Sequence, residues 1–261
     1  MLILLSPSKT LNADPSQPRK TFSTPEHLDR SQELMQLLRR LSNKQLRTLM
    51  DISEKLASQV EGYFQNWKMP FTDKNASPAM MTFQGDVYEG LCVERFKARD
   101  LDFAQQHLRI LSGLYGVLRP LDRMQPYRLE MGCPLAKKKG PKGAQFDNLY
   151  QFWDDKIRAS VISALADQND PVLINLASNE YFKAVQAKQL EAQIVTPIFK
   201  DAKNGSYKVI SFFAKKARGQ LARFILLNRL KKPSDLRAFD EDGYSYNADL
   251  STASEVIFTR G

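Results

Sequence analysis

The chain opens on a continuous apolar run, MLILL, that ends at Ser6-Pro7, the pattern of a strand buried on both faces. A similar run covers residues 171–176 (PVLINL), and a third, Val256-Ile257-Phe258, lies near the end of the sequence. Between residues 25 and 67 the periodicity is helical: Leu34, Leu37, Leu38 and Leu41 share a face, and the pattern breaks at Ser42-Asn43. Two shorter helices, over 44–50 and 53–64, follow across Asp51-Ile52, with Ser53 suited to N-cap the second. Residues 79–83 predict a strand, 100–107 a short helix, and 149–166 one amphipathic helix. Its core stripe is Phe152, Trp153, Ile157, Val161 and Leu165. After the 171–176 strand, Ala177-Ser178-Asn179 reads as a turn into a helix over 180–185. Residues 194–199 and 207–213 predict a hairpin around Asn204-Gly205, and 214–230 a further helix. The stretch 12–24, with Pro15 and Pro18, and the lysine-rich 137–142 read as loops. The pattern predicts an α/β chain of mixed α+β type, one globular domain over residues 1–261. It has a mixed β-sheet core, surrounding helices and a helical N-terminal insertion at about 25–67.

Residues 108–132, LRILSGLYGVLRPLDRMQPYRLEMG, are dense in residues that resist substitution: Gly113, Gly116, Gly132, Pro120 and Pro126, with Arg109, Arg119, Arg123 and Arg128 between them. Glycines permit close backbone approach, and interleaved arginines suit a groove that meets an anion. A buried crossover whose arginines pair with nearby carboxylates accounts for the same pattern. Further blocks are SPSKT at 6–10, GDVYEGL at 85–91, LYQFW at 149–153, INLASNEYF at 174–182 and ISFFAKKARG at 210–219. Taken in order, these blocks resemble the YaaA family, which is associated with the bacterial peroxide-stress response. The resemblance implies a protein that helps keep intracellular iron low and limits oxidative damage to DNA and proteins. It also implies DNA binding through a basic cleft and a helix-hairpin-helix element. Here that element falls at residues 46–60, where Asp51 and Ser53 stand in place of the usual hairpin glycines.

Charge sharpens the picture because it is uneven. Of the net +9, residues 199–237 hold eleven Lys and Arg against Asp201 and Asp235, a net of +9. Residues 119–143 carry +5, and the rest of the chain −5. Basic charge confined to two segments points to an anion-binding face rather than a solubility device. Apolar content of 43% and charged content of 26% are ordinary for a globular protein. No apolar run approaches the roughly 18 residues of a membrane span. The N-terminus lacks a charged lead and reads as a first strand, not a signal peptide. Cys92 and Cys133 are too few for a disulfide framework, which makes the cytoplasm the expected compartment and redox sensing an unsupported role.

Candidate chemistry gathers where predicted strands end. Ser6 and Lys9 follow the first strand, though SPSKT lacks the glycines of a phosphate loop. Asn175 and Ser178 follow a second strand; Ser178 also suits an N-cap. Asp86 and Tyr88 read as a proton-transfer pair or a polar clamp, with Asp86 as a helix cap the plainer alternative. Lys215, Lys216 and Arg218 fall in the first turns of the predicted 214–230 helix. There they oppose the macrodipole by roughly 0.3–1 kcal/mol each, a cost that a bound anion offsets. Gly219 allows a backbone or ligand to come close.

His27, His107, Cys92 and Cys133 show no metal-ligand spacing, so no metal and no cofactor are expected, and any effect on iron is indirect. No G-x-S-x-G or dinucleotide fingerprint occurs, and the absence of a recognisable catalytic motif favours a non-enzymatic role. Two readings remain. In the first, DNA is gripped by a cleft lined with Lys9, Arg119, Arg123, Arg128, Lys215, Lys216, Arg218 and Arg223. In the second, an enzyme or sensor takes a small phosphorylated ligand or nucleotide in a pocket of Ser6, Lys9, Asp86, Tyr88, Asn175, Ser178, Lys215 and Arg218. Convergence of the blocks on one pocket favours the second; cations spread along a groove favour the first.

Overall fold

The computed structural model describes residues 1–12, 22–135, 145–166 and 171–261; the loops expected around Pro15 and Pro18 and over 137–142 lie outside them. Strand β1 (Leu2–Leu5) leads to α1 (Leu28–Leu38), α2 (Asn43–Met50) and α3 (Glu54–Asn66). Next come β2 (Ser77–Pro78), α4 (Ala79–Thr82), α5 (Asp86–Leu91) and α6 (Ala98–His107). The hairpin of β3 (Leu108–Ser112) and β4 (Gly116–Leu118) is followed by β5 (Arg123–Met124), α7 (Leu149–Trp153) and α8 (Lys156–Ala166). The remaining elements are β6 (Val172–Asn175), α9 (Asn179–Phe182), β7 (Gln193–Lys203), β8 (Ser206–Lys208), α10 (Ser211–Asn228), β9 (Ser245–Tyr246) and β10 (Glu255–Arg260).

One mixed sheet runs in the order β4-β3-β1-β6-β7-β10-β9, with β8 paired to β7, and β2 and β5 form a separate ribbon. The five central strands β3, β1, β6, β7 and β10 are parallel, and β4, β8 and β9 are antiparallel to their neighbours. Continuous apolar runs belong in the centre of such a sheet because helices cover both faces. Every residue of β1 and β6 is buried, with Ile3 in register with Leu108 on one side and Ile174 on the other. The chain leaves β1 for β3 on one flank and later returns to β6 on the other. The carboxyl end of β1 is therefore a topological switch point, where open α/β sheets form a crevice.

The 25–67 segment is helical as expected. Ser42 and Gln45 form a capping box at α2, and the Ser53 side chain caps α3 by accepting from Leu56 N. Three expectations need correction. Residues 79–83 are not a strand: Ala79–Thr82 is a helical turn with all four side chains buried. So short an apolar run carries no readable period. Its leading N–H groups reach Asp122 O (2.9 Å) and Pro120 O (3.0 Å), outside the turn. The 149–166 helix is two helices, broken at Asp154 (φ 47°), although its stripe residues are all buried. The second hairpin strand stops at Lys208, because α10 already begins at Ser211.

Helices α5 and α10 cross with their backbones almost touching. A Cβ on Gly90 would collide with Lys216 O, and one on Gly219 would collide with Val87 O and lie 2.7 Å from Leu91 N. Gly219 thus serves helix packing, with the partner backbone where a ligand was an alternative occupant. This contact sets α10 beside the carboxyl ends of β1 and β6.

Candidate functional site

Each block of the sequence is anchored by its backbone before any side chain is presented. The loop after β1 is fixed to the loop after β6: Ser178 N donates to Ser6 Oγ (2.9 Å), and Ser6 Oγ donates to Ser178 Oγ (3.3 Å). Tyr88 OH, from α5, donates to Ser6 O (3.0 Å). Asn175 Oδ1 accepts from Ala177 N (3.1 Å) and shapes the turn. Gly85 holds φ +89°, and a Cβ there would press on Ser8 Oγ at 3.2 Å.

The arginine-rich stretch is pinned just as firmly. Trp153 Nε1 donates to Gly113 O (2.9 Å), and Tyr127 OH bonds Ser112 Oγ (2.7 Å) at the carboxyl end of β3. A Cβ on Gly113 would collide with Leu129 O, so residues 127–130 fold tightly over that turn. Gly132 N donates to Glu180 Oε1 (2.8 Å), and Tyr150 OH donates to Glu180 O (3.0 Å).

These anchors enclose a cavity of about 480 Å³. Among the described residues four cations line it: Lys9, Arg128, Lys215 and Arg218. So do three carboxylates: Asp86, Glu130 and Glu180. Ser6, Ser8, Thr10, Gln84, Ser178, Tyr127 and Tyr181 add neutral polar groups to its wall. Glu130 takes Lys9 (2.7 Å) and Arg128 (3.4 Å), and Glu180 is occupied by the Gly132 amide. Arg128 Nε is buried with no partner among the described residues. Arg218 is half-buried, and among the described residues it has neither an ion pair nor a hydrogen bond. Burial pushes its guanidinium pKa down from the ordinary value. Lys215 is exposed and also without a partner there. Burial raises the phenol pKa values of Tyr127 and Tyr181, which stay neutral donors at physiological pH.

The structure divides the residues singled out from the sequence. Ser6, Lys9, Asp86, Arg128, Ser178, Lys215 and Arg218 meet at this cavity. Tyr88 and Asn175 do not line it; they hold the loops that do. Four arginine or lysine side chains are committed to carboxylates elsewhere. Arg119 pairs with buried Asp122 (3.0 Å) and Arg123 with Asp73; Lys216 pairs with Asp242 (3.0 Å). Arg223 reaches Glu241 and Gly90 O. Asp86 is the first residue of α5 rather than its cap; Gly85 holds the cap position, with no side-chain bond. Tyr127, Tyr181 and Glu180 were not singled out. They lie inside the marked blocks, but a lone aromatic reads as core. Among the described residues, no group of three or more His, Cys, Asp or Glu could hold a metal ion, and no helix is long and apolar enough to cross a membrane.

A parallel-centred sheet with a charged cavity at its switch point defines the class, a mixed α/β protein. Residues 1–250 match the family described as peroxide stress protein YaaA. The chain belongs to that family of peroxide stress proteins.

Proposed function

We propose that the cavity binds a small phosphorylated ligand, and that the protein acts on or senses it in the cytoplasm during peroxide stress. Arg218 carries the reading. A half-buried guanidinium with no acceptor among the described residues is incompletely solvated, and an anion in the cavity supplies it with charge-assisted hydrogen bonds. Lys215 adds a second cation, and the Ser6–Ser178 pair supplies neutral hydrogen-bond partners. Asp86, without a partner among the described residues, favours ligands that also carry hydroxyl or amino donors. In the peroxide response the proposed outcome is lower intracellular iron and less oxidative damage to DNA and proteins, reached with no metal site among the described residues.

The direct test is calorimetry with inorganic phosphate, pyrophosphate and ribose 5-phosphate on wild type, Arg218→Ala and Lys216→Ala. Binding that drops at least about tenfold in Arg218→Ala and is unchanged in Lys216→Ala supports the cavity. Failure of all three probes to bind wild type refutes it.

A second reading, DNA binding along a basic surface, is favoured by one observation. Asp51 adopts a left-handed φ of 50° between α2 and α3, a sharp turn of the kind a helix-hairpin-helix element uses. A groove there includes Lys44 and Arg47, although Arg47 pairs with Glu54 (3.2 Å) and the carboxylates Asp51 and Glu54 also line it. Duplex and branched DNA titrated across a salt series test this reading, with binding expected to fall as salt rises. No binding at low salt refutes it.

A further inference from the structure

The anion cavity shares Thr10, Gln84 and Gly85 with a neighbouring cavity of about 720 Å³. The two meet at a backbone pairing in which Gln84 N donates to Thr10 O (3.0 Å) and Asn12 N to Thr82 O (2.8 Å). Their linings differ in charge. Met80, Met81, Phe83, Val93, Phe96 and Leu101 supply the apolar side of the second cavity, and Thr10, Asn12, Gln84 and Tyr88 share its polar side with two glutamates. Among the described residues its charged lining is Glu89 and Glu94, with no lysine or arginine, whereas four cations line the first. Both carboxylates are exposed, and neither forms an ion pair among the described residues. A molecule that fills both spaces has an anionic end and, beyond the Thr10–Gln84 ridge, an apolar body that donates hydrogen bonds.

We infer that the ligand is a nucleotide with an amino-substituted base: its phosphate lies against Arg218 and Lys215, and its base in the methionine- and phenylalanine-lined cavity. The inference rests on the anion-binding reading of the first cavity. Methionine sulfur and phenylalanine edges suit the face of a flat ring, and a carboxylate accepts from an exocyclic amine as it does from cytosine N4. A sugar phosphate leaves the apolar wall in water. An acyl phosphate fills that wall but offers Glu89 and Glu94 no donor.

Calorimetry with adenosine 5′-monophosphate, uridine 5′-monophosphate and ribose 5-phosphate tests this, on wild type and two variants. Val93→Trp fills the second cavity from a half-buried position. Glu89→Gln/Glu94→Gln alters two exposed side chains and keeps the test open if Val93→Trp folds poorly. Wild type is expected to bind the adenine nucleotide at least about tenfold more tightly than ribose 5-phosphate, with the uracil nucleotide between. Val93→Trp then erases the preference and leaves ribose 5-phosphate binding unchanged, and the glutamine pair weakens the adenine nucleotide alone. Equal binding of adenine nucleotide and ribose 5-phosphate in wild type overturns the base cavity and leaves the anion site standing. A preference that survives both variants overturns the base's placement. If no probe binds, both readings fall.

Discussion

Replacing Gly219 with alanine puts a methyl group into the crossing of α5 and α10. In an isolated helix that change stabilises by about 1 kcal/mol, because glycine is a poor helix former. Here the new Cβ meets Val87 O and lies 2.7 Å from Leu91 N. Both are backbone atoms of α5, so no side chain can swing aside and the helices must part. Overpacking of this sort costs about 1–3 kcal/mol, and a backbone clash belongs at or beyond the upper end. Net destabilisation of about 2 kcal/mol follows once the propensity gain is set against it. At about 2–4 °C per kcal/mol for a chain of this size, Tm falls by about 4–8 °C. Gly62 is the internal control. It lies in α3, and a methyl group added there meets nothing within 4 Å, so Gly62→Ala should raise Tm by about 2–4 °C. Thermal unfolding followed by circular dichroism measures both. Gly219→Ala with a Tm at or above that of wild type refutes the close-crossing argument. Because Lys215 and Arg218 ride on α10, the same variant should also bind phosphate probes more weakly than Gly62→Ala does.

Acid should destabilise the fold through its histidines. Burial lowers the pKa of His27 against the opposing pull of Glu26 and Asp29, with Lys156 and Arg30 adding to the lowering. Burial likewise lowers that of His107. The unfolded chain therefore binds more protons below its ordinary value of 6.5, and stability present above that pH is lost as pH falls through the window beneath it. Urea midpoints at pH 7.5 and pH 5.5 should differ in that direction, and by less in His27→Gln/His107→Gln; equal midpoints in wild type count against it. Burial pushes the Cys133 thiol up to about 12 and also raises that of Cys92, so both should resist iodoacetamide and peroxide in the folded protein at neutral pH. Rapid labelling of either, read by mass spectrometry, contradicts this. Asp122→Ala strips the acceptor from Ser23 Oγ (2.6 Å), Arg119 N (2.8 Å) and the Arg119 guanidinium. It should cost about 3 kcal/mol in urea unfolding, and a loss under about 1 kcal/mol is inconsistent with a buried, bonded carboxylate.

What was legible from the chain follows from how far each signal extends. β1 and β6 announced themselves because a central parallel strand is apolar at nearly every position, and Asn204-Gly205 because both residues take positive φ (54° and 74°). The helices of 25–67 carried enough turns to show a period. α4 did not, since four buried residues fit a strand as well as a turn. The break at Asp154 was hidden because the apolar stripe continues across it. Within residues 108–132 the arginines divide. Arg119 and Arg123 pair with carboxylates as a buried crossover requires, while Arg128 reaches the cavity. Only tertiary contacts could separate them, because Asp73, the partner of Arg123, is fifty residues away in the chain.

The cations of α10 show where a sound physical argument started from the wrong boundary. The helix begins at Ser211, so Lys215 is its fifth residue and Arg218 its eighth, beyond the first turn where the macrodipole acts most strongly. Dipole opposition therefore does not explain them. Helical phase does. Lys216, Gln220 and Arg223 are spaced by four and three, and they share a face. On it Lys216 and Arg223 meet Asp242 and Glu241, while Gly90 presses against the backbone at Lys216 and Gln220. Lys215 and Arg218, spaced by three, lie on a different side of the helix that turns to the cavity, and no carboxylate pairs with them among the described residues. The same helix thus uses one stripe of positive charge to fix its own position and leaves the other without a carboxylate among the described residues. Exchanging the two roles tests the division: Lys216→Ala should lower stability and spare phosphate binding, and Arg218→Ala should do the reverse.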